Sequence, residues 1–218
     1  AGRIRGRLPV EVAAAGGCRQ AAVRLMEDAR VANSIHAAAR FGLNGKVRDA
    51  IDEDPLVVWQ RDDSDMNPLM WAARGGHPET MKLLLNRSFD PVRERDALVF
   101  AAISGCPDAV RLLLDRTASD GTSFPKDAID EAFAIAGSTD SVEVLRLLLE
   151  EGASVNAHDA GGFTALRNWA ENGVDVRVLN LILDSGGDPH HECRDGQTPI
   201  QCMNDSQRRQ LRRFLATE

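Results

Sequence analysis

Four side chains of metal-ligating type fall close together late in the chain: His190, His191, Cys193 and Cys202. Imidazole nitrogens and thiolates are the donors zinc takes, usually at recurring short spacings. The intervals here match none of those spacings, so two imidazoles and two free thiols are expected instead. A second cluster, Asp63-Ser64-Asp65-Met66-Asn67, opens like a calcium loop. Such a loop needs glycine at its sixth position and a bidentate glutamate at its twelfth. Pro68 and Arg74 stand there, and an arginine would repel the cation. No metal is expected. The chain has no phosphate-binding glycine loop, no dinucleotide fingerprint and no nucleophile elbow. Its carboxylates lie in connections and on outer helix faces. The expectation is a non-enzymatic protein with no cofactor.

The bulk composition narrows the partners. The net charge is -7 with a pI near 5.3, which predicts no general attraction to nucleic acid or to an anionic membrane. Aromatics make up 5% of residues and tyrosine is absent, so there is no row of base-stacking platforms. The basic groups at the two ends, Arg3, Arg5 and Arg7, then Arg208, Arg209, Arg212 and Arg213, read as solvated surface. Four scattered cysteines suit free thiols in a reducing compartment, the cytoplasm or nucleus. No apolar run approaches the ~20 residues of a membrane span, and no leader is evident. A start at Ala1 reads as a processed chain or a fragment.

The elements that must position any site repeat along the chain. Pairs of small residues recur at Ala13-Ala14, Ala38-Ala39, Ala72-Ala73, Ala101-Ala102 and Ala136-Gly137, and Trp169-Ala170 stands at the next such position. The intervals are 25, 34, 29, 35 and 33 residues. A glycine follows most pairs by three positions, and an apolar helical run comes next, as in Met81 to Leu85 or Val144 to Leu149. Small residues let two antiparallel helices approach, and glycine permits the positive φ of the turn between them. Pro78 and Pro107 suit the first turn of the second helix. Asn33, Asn67, Asp96, Thr164 and Thr198 are placed to cap first helices. Between units, Gly152 to Thr164 and Gly186 to Thr198 read as a glycine stop, a short extended piece and a turn. The stretch from Asp120 to Pro125 reads as an irregular excursion.

These units resemble ankyrin repeats, whose period is ~33 residues with a T-P-L-H-x-A signature. Asn67-Pro68-Leu69-Met70-Trp71-Ala72-Ala73 carries the resemblance best; Ser34-Ile35-His36-Ala37-Ala38-Ala39 keeps the histidine, and Thr198-Pro199-Ile200 the opening. The resemblance implies an all-α solenoid of stacked antiparallel helix pairs, with about five full repeats and degenerate caps. It places residues 1–7 in a basic lead-in and 8–218 in a single domain, with units near 8–31, 32–61, 62–93, 94–126, 127–158, 159–192 and 193–218. It implies that His36 braces a neighbouring loop, and that a partner protein binds a concave face of hairpin tips and first-helix ends. Carried over by position, that face comprises Arg40, Phe41, Met66, Arg74, Ile103, Ser104, Ser138, Thr139, Phe163, Glu171, Asn172 and Arg194, with Asp63, Ser64, Ala160, Gly161, Asp195 and Gln197 at the remaining tips. Trp71 and Trp169 are expected in the core. The resulting expectation is a monomeric protein–protein interaction module. The alternative is a regulatory or targeting domain of a larger enzyme, channel or effector.

Overall fold

A computed structural model describes residues 34–85, 94–172 and 175–216. The expected first repeat, the basic lead-in, Cys18 and the Asn33 cap lie outside these residues. The chain divides into two compact units, Ala1–Asp90 and Pro91–Glu218.

In the first unit, α1 (Ile35–Arg40) and α2 (Asn44–Glu53) form one helix pair, and α3 (Pro68–Gly75) and α4 (Pro78–Leu85) form the next. First helices stack on first helices and second on second: α1 lies on α3, and α2 on α4. The alanines explain the close approach, because Ala37, Ala38, Ala39, Ala72 and Ala73 are all at most 2% exposed. A short 3-10 turn, Pro55–Trp59, occupies the connection in place of a hairpin, with Asp54 capping Leu56 N–H at 2.9 Å.

The second unit continues the pattern with α5 (Arg95–Ser104), α6 (Pro107–Asp120), α7 (Lys126–Ala136), α8 (Val142–Glu150), α9 (Ala165–Asn172), α10 (Val176–Asp184), α11 (Pro199–Cys202) and α12 (Asp205–Leu215). The stacks run α5–α7–α9–α11 and α6–α8–α10–α12. Phe133, Leu98, Leu145, Leu148, Trp169 and Ile182 fill the space between them. Each fully buried side chain of this size contributes about 1.5–3 kcal/mol. Helix α12 buries Gln207 and Leu211 and is otherwise largely polar.

Sequence signals account for most boundaries. Pro78 and Pro107 open α4 and α6, and Pro68 opens α3 behind the Asn67 cap, whose Oδ1 accepts Met70 N–H at 2.8 Å. Gly42, Gly76 and Gly105 all have φ between 65° and 67°, the left-handed turn expected of them. The cap of α5 differs from expectation. Glu94 is its N-cap residue and Asp96 lies in the first turn, where its charge still complements the helix dipole. The unit from Lys126 departs most. It makes its turn without a positive-φ residue, using Thr139 N–H to Ala136 O at 3.0 Å and a Ser141 cap on Val144. The excursion near Asp120 is a helix end: α6 runs on to Asp120 before the chain turns at Gly121. The expected hairpins are turns rather than strands. One isolated bridge, His158 with Thr164, is present among the described residues.

Candidate binding surface

Three loops share one register. The base of each is closed by a backbone bond: Asp62 N to Met66 O at 3.1 Å, Asp159 N to Phe163 O at 2.9 Å and Cys193 N to Gln197 O at 3.0 Å. The fourth residue of each, Asp65, Gly162 or Gly196, has positive φ. Residues 63, 64 and 66 are therefore equivalent to 160, 161 and 163, and to 194, 195 and 197. That is the correspondence the sequence pattern predicts for the loop tips.

Sequence reasoning missed the aspartate that organises two of these loops. Asp62 Oδ1 accepts the N–H groups of Ser64 and Met66 at 2.9 and 3.1 Å, while Oδ2 accepts the Trp71 indole N–H at 2.8 Å. Asp159 repeats this device. It accepts Phe163 N–H at 3.0 Å and Asn168 Nδ2 at 2.8 Å, and Asn168 also donates to Ala134 O of the preceding repeat at 3.0 Å. The available signal was the offset: both aspartates stand five residues before a helix cap, Asn67 or Thr164.

The predicted contact residues fall into three groups. Phe41 and Met66 are buried at 6% and 7% exposure. Arg40, Ser104, Ser138, Thr139 and Phe163 are half-buried. Ser104, Ser138 and Thr139 turn their hydroxyls back to helix carbonyls, donating to Ala101 O, Ile135 O and Ala136 O at 2.7–2.8 Å. Arg74, Ile103, Glu171, Asn172 and Arg194 are exposed. Trp71 and Trp169 are in the core, and the His36 ring donates to Gln60 O at 2.7 Å, bracing the loop after its own repeat.

In the first unit, the Arg40 guanidinium lies 5.8 Å from the Trp71 ring centre. Burial, and then the positive charge of Arg74, lowers its pKa. The Arg40 carbonyl accepts from the His77 ring at 3.1 Å, tying one repeat to the next. In the second unit a buried arginine holds the surface together. Arg167, 4% exposed, donates from Nη2 to Asp195 at 3.2 Å and packs 5.2 Å from the Phe163 ring centre. Its Nη1 lies 2.5 Å from Glu171 Oε1, an ion pair without hydrogen-bond alignment. Burial opposes the Arg167 charge, but the Glu171 and Asp195 carboxylates outweigh it and raise the pKa. Arg194 lies across the preceding loop, with its N–H on Gly162 O at 3.0 Å and Nη1 on Ala160 O at 3.2 Å. A Cβ on Gly162 would sit 2.4 Å from Arg194 Cβ, so glycine is required there for both φ and space.

The rings of His158 and His191 are 5.1 Å apart, and no three His, Cys, Asp or Glu groups gather around one point among the described residues.

Family models for ankyrin repeats match residues 11–124, as three copies, and residues 132–160. The chain belongs to the ankyrin-repeat family. Its fold class is accordingly the all-α ankyrin-repeat solenoid, a protein-interaction module. The human ASB11 ankyrin repeat domain is similar at TM-score 0.67 and 21% identity, covering 95% of this chain and 98% of that one. The Bcl-3 ankyrin repeat domain is similar at TM-score 0.57 and 22% identity, covering 97% and 99%. A structure of the predatory endopeptidase Bd0816 of Bdellovibrio bacteriovorus in complex with immunity protein Bd3460 gives TM-score 0.62 at 21% identity, covering 84% and 97%. Among curated proteins, the ankyrin repeat and LEM domain-containing protein 1 homolog of Caenorhabditis elegans is 38% identical over 98 residues, 45% of this chain. The 2-5A-dependent ribonuclease of Mus musculus is 34% identical over 78 residues, 34% of this chain. The matched segments span 14% and 10% of those two relatives. No described helix is long and apolar enough to cross a membrane.

Proposed function

We propose that this chain is a non-enzymatic module that captures a partner protein through loop tips and first-helix ends. The observation that carries the reading is how the exposed positions are held. Arg194 is fixed on the loop before it by two bonds, and Arg167 locks Phe163, Glu171 and Asp195 into one arrangement. Side chains already ordered before contact lose less entropy on binding, so such a surface is suited to recognition. The contact residues proposed are Arg40, Arg74, Ile103, Ser104, Ser138, Thr139, Phe163, Glu171, Asn172 and Arg194. Phe41 and Met66 are buried and are left out of this set. The structural neighbour that is a protein–protein complex supports the same reading. The partner is a protein rather than nucleic acid or membrane, consistent with the net charge of -7. The module works as a monomer inside a reducing compartment and needs no cofactor. A larger protein carrying it as a targeting segment is favoured by the relatives, in which the matching stretch is a small part of the chain.

The test compares proteins captured from a native extract by the wild-type chain and by an Arg74→Glu, Arg194→Glu variant of matched thermal midpoint. Loss of a specific captured protein is expected. An identical captured set at unchanged stability overturns the assignment of this surface.

A further inference from the structure

The shared loop register places two cysteines where the other loops place a hydrogen-bonded pair. Asp62 meets Trp71 nine residues later, and Asp159 meets Asn168 nine residues later, each at 2.8 Å. The equivalent residues of the last loop are Cys193 and Cys202. Both residues bond to Gln197: its backbone O accepts the Cys193 backbone N–H at 3.0 Å, and its Oε1 accepts the Cys202 thiol at 3.0 Å. Cys193 is also among the groups that act electrostatically on Cys202. Both thiols are free. Cys193 is buried at 4% exposure and Cys202 is half-buried at the end of α11.

We propose that Cys193 and Cys202 are a redox modification site, a dithiol that closes to a disulfide when a small-molecule disulfide reaches the half-exposed Cys202. The Cys202 thiolate attacks one sulfur of oxidised glutathione, and the other glutathione leaves as a thiolate that takes up a proton. Cys193 then loses its proton and attacks the Cys202 sulfur of the mixed disulfide, expelling the second glutathione. Two protein thiols and one small disulfide become one protein disulfide and two small thiols. The order follows from access, since Cys193 is covered and acts as the resolving thiol.

The surroundings set the rate. Burial raises the Cys202 pKa; Arg167 opposes this, while Asp195, Glu171 and Cys193 add to it. The thiolate fraction is thus small at neutral pH and grows as pH rises. Closure removes the thiol that Gln197 Oε1 accepts from and so releases the Gln197 side chain. That residue holds the loop position of Met66 and Phe163, so oxidation changes a loop tip while the Asp195–Arg167 link can persist.

The full chain is incubated with oxidised glutathione at about pH 8.5, where thiolate is more abundant. It is then alkylated, cut with trypsin without reduction and weighed by mass spectrometry. Cleavage after Arg194 separates the two cysteines, so closure appears as a linked pair of peptides lighter by two hydrogens. In Cys193→Ser the reaction should stop at a glutathione adduct on Cys202. A wild-type chain that stops at that adduct, pairs Cys202 with Cys18 or Cys106, or stays fully reduced while its helical signal is native overturns the proposal.

Discussion

Gly137→Ala should destabilise the second unit by about 2 kcal/mol, and the reason is backbone crowding rather than backbone conformation. Gly137 follows α7 with φ -55° and ψ -25°, where alanine is ordinarily the better residue. Conformational freedom alone would favour alanine there by about 0.5–1 kcal/mol. The obstacle is α9. A Cβ at 137 would lie 2.1 Å from Ala165 O, 2.7 Å from its carbonyl carbon and 2.8 Å from its Cα. Ordinary contact requires roughly 1 Å more, and no side chain can swing aside to supply it. Forcing extra methyl groups into a packed core costs about 1–3 kcal/mol. A backbone obstacle puts this site near the upper end, and the conformational gain brings the net to about 2 kcal/mol. Gly45→Ala is the internal control. Gly45 lies inside α2 with nothing within 4 Å of where a methyl would sit, so alanine should stabilise by about 0.5–1 kcal/mol. Urea unfolding followed by far-ultraviolet circular dichroism gives both shifts. Repeat arrays need not unfold in one step, so amide exchange in α7 and α9 locates the loss. A Gly137→Ala chain as stable as wild type, or stabilised like Gly45→Ala, would refute the crowding argument.

Two further outcomes follow from the loop chemistry. Asp159→Ala removes the acceptor of Phe163 N–H and one acceptor of the buried Asn168 amide, and should cost about 2–3 kcal/mol by urea unfolding; a cost under about 0.5 kcal/mol would mean that water replaces the carboxylate at no expense. The Asp195 carboxyl is held below its ordinary value of 3.8, first by the Gln197 N–H and then by Arg167. A depressed folded-state pKa contributes stability above the unfolded value and loses it as pH falls through the folded one. Its contribution should therefore be constant at neutral pH and disappear only below the ordinary carboxylate range, with a carbon-13 titration midpoint under 3.8; a midpoint at or above that value would contradict the Arg167 link.

Local pattern determined the scaffold of this protein. The small pairs, the glycines three residues on, Pro78, Pro107 and the Asn67 cap each act within a few residues, so the sequence specifies them directly. Their recurrence along the chain is enough to put the loop tips in register. Side-chain placement between repeats was a different matter, because it depends on residues a whole repeat apart. Phe41 and Met66 fall at contact positions by repeat register, yet both are buried. Arg167 looks like an outer charge on a helix, yet it is buried between Phe163, Glu171 and Asp195 of two loops and its own helix. The tightness at Gly137 depends on where α9 begins, and the equivalence of Cys193 and Cys202 to the bonded pairs of the other loops depends on a register fixed by three backbone bonds. Periodicity reports which face of a helix is apolar; only the packed repeats decide which atoms on that face are left for a partner.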